Sequence, residues 1–78
     1  MNFGKALEEL KRGENVARTG WNGKGMWLQL CNNNAFFGAI SQRYDSLPFI
    51  VMKTADNYLV PWLASQTDIL AEDWEVIQ

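Results

Sequence analysis

The chain has no histidine and a single cysteine in 78 residues, and each shortage removes a class of chemistry. Without imidazole there is no Ser-His-Asp or Cys-His arrangement and no histidine metal ligand, so the commonest acid–base and hydrolytic metal sites are out. Neither a metal nor an organic cofactor is expected. Cys31 has no second cysteine to pair with, which agrees with a reducing compartment. No apolar run approaches the ~20 residues of a membrane span, and the N-terminus lacks the charged-then-apolar layout of a secretory signal, so a soluble intracellular protein is expected. There is no basic run, and the isoelectric point is near 4.9, which argues against duplex nucleic acid as a partner.

What is present is a folded composition, 47% hydrophobic and 13% aromatic. A chain this short makes one domain spanning residues 1–78 and cannot be divided into two cores. Small domains usually add disulfides, a metal or a partner subunit; with the first two nearly excluded, association with other copies is the default. Trp21, Trp27, Trp62 and Trp74 exceed what one small core takes, so some of them should lie at a subunit interface or beneath a ligand. The formal net charge of -2 hides an asymmetry: residues 1–53 carry +3 and residues 54–78 carry -5. One half can therefore meet the other half of a neighbouring copy.

Asn2 is a plausible N-cap for a helix in which Phe3, Ala6, Leu7 and Leu10 form one apolar face, with Lys11 and Arg12 suiting its C-terminal dipole and Gly13 ending it. Residues 16–19 read as a strand, the glycines of GWNGKG as a tight turn, and residues 26–31 as a second strand with Met26, Leu28 and Leu30 on one face and Trp27, Gln29 and Cys31 on the other. The segment 36–40 has no settled assignment, and residues 41–48 read as irregular. Strands follow at 49–53, 58–62 and 74–77, and Pro61 places its strand at an edge or a bulge. The sum is an α+β fold: an N-terminal helix packed on a twisted antiparallel sheet of about five strands, with a short helical turn near residues 65–71 before the last strand.

Two segments carry recognition chemistry. In VPWLASQTDILAEDW, from Val60 to Trp74, Ser65, Gln66, Thr67 and Asp68 follow an apolar run. Ser65 and Asp68 have the S-x-x-D form of a helix cap, which leaves Gln66 and Thr67 unexplained. The second segment is Trp21, Asn22, Gly23 and Lys24, preceded by Arg18. It offers a flat ring for stacking, an amide for reading base or ribose edges and cations for phosphates. The competing explanation is a hairpin tip with a packed tryptophan. A carboxylate pair, Asp68 with Asp73 or Glu72, is the residual enzymatic option, and solvated acids are the commoner outcome. Cys31 reads as a small, partly buried side chain.

Taken together, MNFGKALEELKRGENVARTGWNGKGMWLQL, PFIVMKTADNYLVPWLASQTDILAEDW and the closing EVI resemble the second type of phage-encoded Thoeris anti-defence protein, with residues 32–46 outside the likeness. The resemblance implies a homo-oligomer, a tetramer, that sequesters the cyclic ADP-ribose-type signal (gcADPR) of Thoeris immunity in the host cytoplasm without degrading it, some relatives also holding cyclic dinucleotides. By motif position it implies Trp21 and Asn22, and Trp62, Ser65, Gln66, Thr67 and Asp68, as ligand-binding residues; Arg18 and Lys24 join them from the residue reading above. A protein-interaction module and a signal-nucleotide hydrolase are the alternatives.

Overall fold

The computed structural model describes residues 1–21, 24–32 and 44–77. Its elements in chain order are α1 (Phe3–Lys11), β1 (Asn15–Arg18), β2 (Trp27–Cys31), β3 (Phe49–Lys53), β4 (Leu59–Pro61), α2 (Gln66–Leu70) and β5 (Trp74–Ile77). This is the expected α+β arrangement of one long helix, a five-stranded antiparallel sheet and a short helix before the last strand. The readings for segment 36–40 and for residues 41–43 lie outside the described residues.

Helix α1 starts where the side chain of Asn2 accepts the backbone N–H of Lys5 at 2.9 Å, satisfying a donor that has no partner in the first turn. Its stripe buries Ala6 and Leu10 completely and packs Phe3 and Leu7 beside them. It ends at Gly13, whose φ of 92° suits a residue without Cβ. Replacing the cap, Asn2→Ala, is expected to lower the unfolding free energy by about 1 kcal/mol in urea denaturation. An unchanged midpoint would show that the cap contributes nothing.

The strands lie in the order β4-β3-β2-β1-β5, all neighbours antiparallel. The first and last strands are therefore adjacent, with Val16 opposite Val76 and Arg18 opposite Trp74. On the helix side, Leu28 stands opposite Val16 and Met52, and Leu30 opposite Ile50. The alternation read from β2 is realised: Leu28 is buried in the core and Leu30 packs against it. Pro61 sits on β4, an edge of the sheet, where its missing N–H leaves no ladder bond unmade.

Two expectations need correction. Residues 19–26 separate β1 from β2, so GWNGKG lies within a longer connection than a tight turn. Strand β1 begins at Asn15 and β4 is confined to Leu59–Pro61. Three of the four tryptophans share one cluster: Trp74, 2% exposed, is the common neighbour of Trp21, Trp62 and Phe3, with ring centroids 5.4, 6.1 and 5.4 Å away. Edge-to-face contacts of this kind add to area burial, which is how so small a domain obtains a dense core without a disulfide.

Candidate functional site

The pairing of β1 with β5 brings Arg18 to the end of the sheet where α2 and the 19–26 loop meet. Its Nε donates to Asp73 Oδ1 at 2.7 Å, its Nη2 to Asp73 Oδ2 at 3.5 Å and its Nη1 to Asp68 Oδ1 at 2.8 Å. The side chains of Arg18 and Asp68 are each 16% exposed, so these ion pairs are screened far less than surface pairs. The same Asp68 oxygen accepts the indole N–H of Trp21 at 3.1 Å, while the Asp68 carbonyl accepts that of Trp74 at 3.0 Å. Asp68 is thus the junction between the loop, the aromatic cluster and α2.

Asp73 closes the other side. Besides Arg18 it accepts the Thr19 hydroxyl at 3.3 Å and the Gly20 backbone N–H at 2.8 Å. Arg18 holds its carboxyl well below the usual carboxylate range, at about 2, against an opposing effect of burial. For Asp68 burial pushes the carboxyl pKa up, and the bonds from Arg18, Trp21 and Ser65 outweigh it, leaving a net lowering. The Arg18 pKa is raised, by Asp73 first and then Asp68.

These directions fix a pH dependence. Both folded pKa values lie below the unfolded value of about 3.9. The stabilisation they carry is therefore complete above that value and is lost as pH falls below it, for Asp73 toward about 2. The urea midpoint is expected to drop steeply from pH 4 to pH 2, and an Asp68→Asn, Asp73→Asn double variant should show a flatter profile there. Equal slopes for the two proteins would contradict the assignment.

Ser65 caps α2, its hydroxyl accepting the Asp68 N–H at 3.1 Å. Ser65 thus caps the helix as the S-x-x-D pattern predicts, while the Asp68 carboxylate serves Arg18 and Trp21 as well as its own helix. Gln66 and Thr67 are exposed on α2. Lys24 is exposed on the loop that carries Trp21. Asn22 lies outside the described residues. Trp62 packs on Phe3 at 5.9 Å and on Trp74. It also lines an apolar groove of about 580 Å³ with Phe3, Leu7, Leu30, Ile50 and Lys11. The structure thus joins Arg18, Trp21, Ser65 and Asp68 directly, sets Gln66 and Thr67 beside them on α2, and links Trp62 to them through Trp74.

Sequence reasoning missed the part that Asp73 and Trp74 play here. Asp73 was visible only as one acid of a solvated cluster or of a catalytic pair. The signal that it meets Arg18 is the β1–β5 register, which is not local in sequence. The charge asymmetry is also satisfied in part within one chain, since Asp68 and Asp73 of the acidic half meet Arg18 of the basic half.

Chemically, the cluster is a closed one. Three of the five guanidinium N–H donors of Arg18 go to two carboxylates, so its charge is already compensated. A carboxylate held near pKa 2 is a poor general base at neutral pH, where a value close to 7 works best. No group of residues suited to holding a metal ion occurs among the described residues, and no described helix is long and apolar enough to cross a membrane.

The Tad2-like family model, described as the Thoeris anti-defense 2-like domain, matches residues 1–77. The chain is also similar to the Thoeris anti-defense 2 protein of Bacillus phage SP01, at 48% identity over 84 aligned residues covering 99% of this chain and 94% of that protein.

Proposed function

The chain belongs to the Thoeris anti-defense 2-like family, and from that premise we propose that it blocks Thoeris immunity by capturing the cyclic ADP-ribose-type signal, gcADPR, stoichiometrically and leaving it chemically intact. It is an anti-defence protein of phage type, and on this reading it works in the host cytoplasm. The supporting observation is the fixed Trp21 ring: its indole N–H is bound by Asp68 and it packs nearly perpendicular to the Trp74 ring. A ring already ordered offers a base a stacking surface without the cost of immobilising it on binding. On this reading Lys24, Ser65, Gln66 and Thr67 are the polar contacts, Asn22 joins them by its place next to Trp21 in sequence, and Arg18 and Asp68 hold the frame. Trp62 serves as a second aromatic wall.

Exposed apolar side chains support self-association, which the proposal takes to be tetrameric. Leu59 and Val60 on the edge strand β4, with Leu63 at 93% exposure just beyond it, form apolar surface that a monomer would leave in water. The same surface also favours the second reading, a module that docks on a host protein. Titrating purified protein with cyclic ADP-ribose isomers and cyclic dinucleotides separates the two. Capture predicts a melting temperature that climbs with ligand concentration, because a ligand bound only by the folded state stabilises it. A flat response to every nucleotide would leave the docking module as the better account. The hydrolase reading requires a free carboxylate. It would be favoured only if Asp68→Asn retained binding and lost an observed turnover.

A further inference from the structure

We propose that Asp73 is a positioning residue that pre-sets the Trp21 loop. The inference deepens the capture reading for its binding consequence, and its structural part stands on geometry alone. Four donors converge on one carboxylate: Arg18 Nε and Nη2, the Thr19 hydroxyl and the Gly20 backbone N–H. The last two belong to the start of the 19–26 connection, and the following residue, Trp21, donates its own backbone N–H to the Arg18 carbonyl at 3.3 Å. Asp73 therefore clamps the first three residues, Arg18, Thr19 and Gly20, of the turn that delivers the indole to Asp68.

Gly20 shows how tight the clamp is. Gly13 and Gly25 are the described glycines with positive φ, so Gly20 is not required for an unusual backbone angle. A Cβ at Gly20 would instead stand 2.7 Å from Asp73 Oδ2 and 3.4 Å from Arg18 Nη2. The absence of a side chain at this position is what lets the carboxylate reach the backbone N–H. Because every group around Asp73 is a donor, an amide in its place would turn an NH2 toward other donors.

Two variants disturb the clamp from opposite sides, Asp73→Asn by chemistry and Gly20→Ala by volume. In protein labelled with 5-fluorotryptophan, each is expected to shift or broaden the fluorine resonance of Trp21 while those of Trp27 and Trp62 keep their wild-type positions. Affinity for the cyclic ADP-ribose isomer that wild type binds should fall about tenfold in each. That loss should appear mainly as slower association, since only the fraction of molecules with an ordered loop is competent.

A Trp21 resonance unmoved in both variants overturns the proposal. So does a moved resonance with nucleotide affinity within twofold of wild type, which would make Asp73 a stabilising residue only. If wild type itself binds none of the isomers, the capture reading fails, and the Trp21 resonance still decides whether Asp73 sets the loop.

Discussion

Trp74→Ala is expected to leave the chain largely unfolded at 37 °C. The side chain is almost fully buried, it touches Phe3, Trp21 and Trp62, and its N–H satisfies the Asp68 carbonyl. Truncating a buried tryptophan costs about 3–5 kcal/mol, and a domain of this size has roughly 5–15 kcal/mol in total, with small ones at the low end. The loss is thus comparable to the whole stability. Circular dichroism melts and urea titrations would record it, with Trp74→Phe as a milder companion that keeps a ring and loses the N–H. A change below about 1 kcal/mol for the alanine variant would mean that the aromatic cluster is not the organising core.

The second large effect is on binding. Trp21→Ala removes the proposed stacking surface and is expected to weaken capture of the signal by about 10–100-fold, from stacking energies on the order of 1–3 kcal/mol. Trp21 is half-buried, so part of its role is structural. Trp21→Phe separates the two, because it keeps a smaller ring against Trp74 and deletes the donor to Asp68. The phenylalanine protein is expected to fold and to bind more tightly than the alanine protein. Wild-type affinity in a folded Trp21→Ala protein would remove Trp21 from the site.

Much of the fold was legible because its signals are local. Asn2 and Ser65 cap helices through bonds three residues ahead, Gly13 closes α1, and the alternation of Leu28 and Leu30 with Trp27 and Gln29 sets the inward face of β2. The frame of the candidate site was not legible, because it depends on the last strand lying beside the first. Only that topology puts Arg18 opposite Trp74 and so next to Asp73. The same closure gathers Trp21, Trp62 and Trp74 into one cluster. Composition alone does not show which of the tryptophans meet one another. Arg18 and Asp68 were singled out for contacts with a ligand, and each turns out to hold the other in place.

The claim at the centre of this account is capture without conversion. Signal-containing lysate incubated with an excess of the protein, then heated to denature it, tests that claim most directly by mass spectrometry of the small-molecule fraction before and after heating. The account predicts that free gcADPR disappears on mixing and returns unchanged on denaturation, in an amount proportional to the protein added. Recovery of a cleaved nucleotide, or a signal that never leaves the free pool, would contradict it.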